Sequence, residues 1–115
     1  MWSLTIRTSH QKVVEYHPKP GVTKIGRTSE NNIALKDEAV SRYHAEIIFD
    51  ARKKSLTLKD LGSTNGTFLN GRKITIANLK AEDQVRIGQS LISIKLADTQ
   101  LLDSQENIVT FTPEL

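Results

Sequence analysis

Apolar residues recur at every second position in one short segment after another, and none of these segments has helical length. Trp2-Ser3-Leu4-Thr5-Ile6-Arg7 sets the pattern: Trp2, Leu4 and Ile6 share one face of a strand. The period returns in Ser55 to Asp60, in Gln84 to Ile87 and in Leu91 to Leu96. Shorter β-rich pieces lie at Val13 to Tyr16, Val22 to Ile25, Ile33 to Leu35, Ala45 to Phe49 and Thr67 to Leu69. Between them stand Pro18-Lys19-Pro20-Gly21, Asp50 to Lys54, Gly62 to Gly66, Asn70-Gly71 and Gly88-Gln89, each able to reverse the chain. Asn70-Gly71 is the sharpest of these, because a two-residue hairpin turn needs positive φ at both centres. It predicts a hairpin from Thr67-Leu69 to the segment around Ile74. Many short strands with frequent turns and no intervening helix predict an all-β fold, an antiparallel β-sandwich of about ten to eleven strands.

A length of 115 residues matches one domain able to bury a core without staples. We divide it into a domain over 1–97 and a C-terminal tail or linker over 98–115, where the pattern turns polar. Leu101-Leu102 and Ile108-Val109 also allow the tail to be a piece of a following domain. Without cysteine there is no disulfide or thiolate metal site, and His10, His17 and His44 lack ligand-like spacing, so neither metal nor cofactor is expected. No stretch approaches the ~20 apolar residues of a membrane helix, and a soluble, cytoplasmic protein is expected, with the nucleus as the alternative if the source is eukaryotic. The net charge of +3 favours anionic partners mildly. It does not demand nucleic acid, since only Arg52-Lys53-Lys54 forms a basic run, read as a solvated turn, and aromatics make up 5%.

Gly26-Arg27, Ser41-Arg42-Tyr43-His44, Ser63-Thr64-Asn65-Gly66 and Asn70-Gly71 fall at turns, where a rigid sandwich displays its binding residues. Their guanidinium, hydroxyl and amide donors suit a phosphate, whose oxygens accept strong hydrogen bonds. In this order, together with Asn32-Ile33-Ala34-Leu35, Asp60-Leu61-Gly62, Thr67 and Ile87-Gly88, they resemble the forkhead-associated (FHA) domain family from about Trp2 to about Ala97.

That resemblance implies an FHA/SMAD-like sandwich that binds phosphothreonine peptides in signalling by Ser/Thr kinases. Gly26 would clear the way for the chain to leave its strand, and Arg27 would reach phosphate oxygens. Ser41 would donate to the anion from both its hydroxyl and its backbone N–H, with Arg42 a second charged contact. Thr64 and Asn65 would form the opposite wall, Thr64 toward the phosphothreonine and Asn65 offering donor and acceptor to the peptide backbone. Gly26, His44, Gly66, Asn70 and Gly71 would support the loops, with Ser63 a minor contact. Preference for threonine over serine would need a small pocket for one methyl, worth ~0.8 kcal/mol. Ala39 stands where some family members place an Arg, so no acidic requirement is expected three residues after the phosphothreonine.

Ser41, His44 and Asp60 could be read as a catalytic relay, but Ser41 lacks a Gly-x-Ser-x-Gly elbow and no oxyanion hole is visible, so no enzyme is expected. Nucleic-acid binding and phosphate-independent docking remain the competing readings. The expected partners are a phosphothreonine-bearing protein and its upstream kinase, met within a larger multidomain protein. Thr110 and Thr112 are themselves candidate phosphorylation sites.

Overall fold

The computed structural model describes residues 1–97, and among them the elements are strands, with no helix. The strands are β1 (Trp2–Arg7), β2 (Val13–Tyr16), β3 (Gly21–Gly26), β4 (Ile33–Ala34), β5 (Ala45–Asp50), β6 (Ser55–Asp60), β7 (Thr67–Leu69), β8 (Arg72–Ile74), β9 (Ile76–Leu79), β10 (Gln84–Ile87) and β11 (Ser90–Leu96). They form two facing sheets, in the orders β2-β1-β11-β10-β7-β8 and β4-β3-β5-β6-β9. The pairs are antiparallel except for β3 with β4, which run parallel and match Ile25 to Ile33. Strand β9 went unpredicted, because its period rests only on half-buried Ala77 and buried Leu79 while Ile76 faces solvent.

The alternation places the core as expected. Trp2, Leu4 and Ile6 of β1 join Val85 and Ile87 of β10 and Ile92 and Ile94 of β11 on one inner face. Opposite them lie Ile25, Ala45, Ile47, Leu56, Leu58 and Leu79, so truncating a buried member such as Ile94 to Ala should cost ~2–5 kcal/mol. The hairpin forms where the sequence requires it, with φ of 50° at Asn70 and 87° at Gly71. The basic run Arg52-Lys53-Lys54 is an exposed turn, its first two N–H groups donating to Asp50 Oδ1.

Because β5 runs antiparallel to β3 and β6, the end of β3, the start of β5 and the end of β6 share one edge of the sheet, which gathers three loops at one rim. The loop after β3 donates from Arg27 N–H to Ser41 O (3.0 Å), and Leu61 N–H, after β6, donates to His44 O (2.9 Å). Leu35 and Val40, both buried, plug the long β4–β5 loop into the core and so fix its ends. Residues 98–115, including Leu101-Leu102, Ile108-Val109, Thr110 and Thr112, lie outside the described residues.

Candidate functional site

Gly26 makes the close approach of two loops possible. A Cβ there would fall onto the carbonyl oxygen of Arg42 and within 2.7 Å of Asn31 Nδ2. Through the space left open, the buried Asn31 amide donates to Arg42 O (2.9 Å) and to Thr28 O and Thr28 Oγ1 (3.0 Å each), tying the loop after β3 to the loop before β5. The sequence reading missed Asn31, whose only signal is its place in a polar turn.

Arg27, half-buried, donates from one guanidinium nitrogen to Val40 O (2.9 Å). Guanidinium carries five N–H donors in a rigid fork, so this bond fixes the plane while most donors remain available. They stand in an open groove of about 500 Å³ lined by Arg27, Ser41, Arg42, Tyr43, Leu61 and Thr64. Ser41 Oγ accepts the backbone N–H of Thr64 (3.0 Å), which leaves its hydroxyl hydrogen to donate.

The backbone N–H of Ser41 is not available to an anion, contrary to the sequence expectation: it donates to His44 Nδ1 at 3.0 Å. Because Nδ1 accepts, the proton sits on Nε2, which donates to Gly66 O at 2.9 Å. The fully buried ring thus joins the Ser41 loop to the far wall, with both nitrogens occupied. Asp60 does not complete a relay to it. Its Oδ1 accepts the hydroxyls of Ser63 (2.5 Å) and Thr67 (2.6 Å), and its Oδ2 accepts the N–H groups of Gly62 (3.0 Å) and Ser63 (3.1 Å). Burial alone would raise the Asp60 carboxyl, but these hydrogen bonds outweigh it and hold the group below the usual carboxylate range. Ser63 Oγ in turn accepts the Gly66 N–H (3.0 Å), so Ser63 serves the turn rather than the groove.

Asn65 closes the groove's second half, lined by Arg27, Glu38, Ala39, Val40, Ser41, Thr64 and Asn65. Its Nδ2 donates across to Ala39 O (2.9 Å), so part of the donor capacity expected to face a peptide is spent between loops, while its carbonyl oxygen has no hydrogen-bond partner among the described residues. Arg42 is exposed at the rim. Tyr43 and Leu61, exposed apolar walls of the groove, were not anticipated from sequence; the Tyr43 hydroxyl donates to Glu30 Oε1 (2.6 Å). That hydrogen bond, together with the Glu30 charge, raises the phenol above its ordinary range.

Arg27, Ser41, Arg42, Thr64 and Asn65 therefore meet at one rim, braced by Gly26, His44 and Gly66. Asn70 and Gly71 are not brought to it. Asn70 instead accepts Gln84 N–H (2.9 Å) and donates to Asp83 (3.0 Å), bracing the turn after β9. The rim offers guanidinium, hydroxyl and amide donors with apolar flanks, a combination suited to an anion carried on a peptide.

A family model described as FHA domain matches residues 23–88. A solved FHA domain from a structural and functional analysis of phosphothreonine-dependent FHA domain interactions is 32% identical, with a TM-score of 0.75 over 84% of this chain and 98% of that one. The FHA domain of FhaA, solved in complex with the intracellular domain of Rv3910, is also 32% identical, with a TM-score of 0.74 over 83% of this chain and 100% of that one. In sequence, an ABC transporter ATP-binding/permease protein of Mycobacterium tuberculosis is 34% identical over 78% of this chain but only 10% of its own length. The chain thus spans about a tenth of that relative.

Proposed function

Because the chain belongs to the FHA domain family, we propose that it is a phosphothreonine-dependent binding module that reads the product of a Ser/Thr kinase on a partner protein. The observation that carries this reading is the convergence of donors at the groove. The Arg27 fork, the Ser41 hydroxyl hydrogen and the Arg42 cation border one open space, and among the described residues no carboxylate is hydrogen-bonded or ion-paired to the Arg27 or Arg42 side chain. Arg27 anchors the phosphate in a bidentate grip that lysine would reproduce poorly, Ser41 adds its hydroxyl, and Arg42 adds a screened, exposed charge. Thr64 lies against the phosphothreonine, and Asn65 accepts a peptide N–H through its free carbonyl oxygen while keeping the loops together through Ala39.

The binding unit is residues 1–97, with 98–115 as a C-terminal tail or linker. Among the described residues no helix is long and apolar enough to cross a membrane. A module that depends on a kinase product works where ATP-driven phosphorylation occurs, in the cytoplasm or, in a eukaryote, also the nucleus, and its role is recognition rather than catalysis.

The test is a titration of the folded domain with a phosphothreonine peptide library by fluorescence anisotropy, each peptide paired with its unphosphorylated control. Micromolar binding confined to phosphorylated members is expected. Equal binding of the controls would overturn the reading in favour of a phosphate-independent docking surface.

A further inference from the structure

The six-stranded sheet carries a second, unassigned cationic surface on its outer face. The strand registers align Val13 with Arg7, Arg7 with Leu91, Leu91 with Arg86, Arg86 with Phe68, and Phe68 with Lys73, one row across all six strands. Directly opposed residues of an antiparallel sheet share a face, and the sequence neighbours of this row, Ile6, Ile92, Val85, Ile87 and Thr67, are buried on the other. Arg7, Arg86 and Lys73 are exposed, with half-buried Leu91 and Phe68 between them and no acidic residue in the row. Among the described residues none of the three cations is in a salt bridge; the ion pair found there, Lys95 with Glu82, shares the outer face but sits off this row, four residues along β11 from Leu91, and Glu15, two residues along β2 from Val13, is on that face as well.

The row begins at the groove. Lys73 Cε lies 2.9 Å from where a Cβ on Gly66 would stand, so its stem passes outside the residue whose carbonyl receives the His44 N–H. Lys73 is thus next to the wall that carries Asn65.

We infer that an acidic segment of the partner, flanking its phosphothreonine on the Asn65 side, lies across the outer face of the six-stranded sheet on Lys73, Arg86 and Arg7. This rests in part on the proposed reading of the rim. Adjacent strands are ~4.8 Å apart, so the cations recur every second strand, at about 10 Å, the length of roughly three residues of extended peptide. Carboxylates about three residues apart, with apolar side chains between them over Leu91 and Phe68, match this spacing. Nucleic acid fits less well. The Arg86 guanidinium already covers the Phe68 ring at 4.3 Å, so the aromatic face a base would stack on is occupied.

The test uses four probes: a short phosphothreonine peptide, the same peptide extended by an acidic block before or after the phosphothreonine, the extended peptide with Asn and Gln replacing Asp and Glu, and the unphosphorylated acidic block alone. Proteins are the wild type and the triple variant Arg7→Gln, Lys73→Gln, Arg86→Gln, which keeps stems and size. At low salt one acidic extension should bind about tenfold tighter than the short peptide, and the gain should vanish with neutral residues, with the triple variant and at high salt. The short peptide should bind both proteins alike. Should the triple variant not fold, amide shifts at positions 7, 86 and 73 of the wild type on adding the acidic block serve the same end. No gain from either extension, together with no such shifts, would overturn the inference, as would an oligonucleotide displacing the acidic block at equal charge. Failure of the short phosphopeptide to bind, with the acidic block still binding the wild type by itself and not the triple variant, would remove the phosphate reading alone.

Discussion

Replacing His44 by Leu removes both ring hydrogen bonds at nearly constant volume, so cavity effects stay small. The Gly66 carbonyl is left without its partner in a buried setting, at a cost of ~2–3 kcal/mol. The Ser41 N–H, in a half-buried loop that admits water, costs a further ~1 kcal/mol. The sum, about 3–4 kcal/mol, is a large share of the ~5–15 kcal/mol that holds such a domain folded. For a domain of this size each kcal/mol lowers the melting temperature by ~4–8 °C, so a drop of about 12–32 °C is expected. Circular dichroism melts and urea titration measure it, and ¹⁵N shifts of the wild-type ring should report the tautomer protonated at Nε2. Because His44 links the Ser41 loop to Gly66, the variant should also lose phosphopeptide affinity at temperatures where it remains folded. A loss below ~1 kcal/mol, or a ring protonated at Nδ1 alone, would refute this bracing role.

Gly26→Ala should destabilise by ~1–3 kcal/mol through overlap with the Arg42 carbonyl and should weaken phosphopeptide binding sharply; Gly71→Ala, strained by its φ of 87° but in open space, should lose stability in urea titration and leave affinity unchanged. Asp60 has a folded value held below the unfolded ~3.9, so its stabilising contribution is present above that pH and is lost as pH falls through the folded value. The urea midpoints of wild type and Asp60→Asn should therefore lie well apart at pH 7 and converge in acid, and a gap that persists at pH 2 would contradict the carboxylate's role. Phosphopeptide affinity should decline earlier, as the phosphate loses its second charge near pH ~6, measured by anisotropy from pH 7.5 to 5; an affinity flat across that range would count against recognition of the dianion.

Much of the sandwich was legible because period-two burial writes itself into the chain. Val13–Tyr16, Ser55–Asp60, Thr67–Leu69 and Gln84–Ile87 have the bounds the pattern predicts. Strand β9 escaped because its inward positions are small Ala77 and Leu79 while Ile76, its other large apolar residue, faces solvent and blurs the period. The parallel β3–β4 pair spans two residues, too few to carry a register signal. At the rim, Arg27, Ser41, Thr64 and Asn65 were visible as donors gathered at turns. What each donor is already bound to was not visible, since those partners are set by how the loops fold and meet rather than by the motifs themselves. Ser41 N–H meets a ring three residues on, Asn65 crosses to Ala39, and Asn31 reaches Arg42 only because residue 26 has no side chain. Asn70-Gly71 shows the converse: its motif position suggested loop support, while its hydrogen bonds go to Asp83 and Gln84.

The most direct measurement is a double-mutant cycle between Arg27 and the phosphate: four dissociation constants, for wild type and Arg27→Ala, each with the phosphorylated and unphosphorylated peptide. Removing a partly desolvated charge that pairs with the phosphate should cost ~2–5 kcal/mol with the phosphopeptide and almost nothing with its control. A coupling of at least ~2 kcal/mol is predicted. A coupling near zero, with the phosphopeptide still held by a folded Arg27→Ala domain, would contradict the claim that this guanidinium is the anchor of the site.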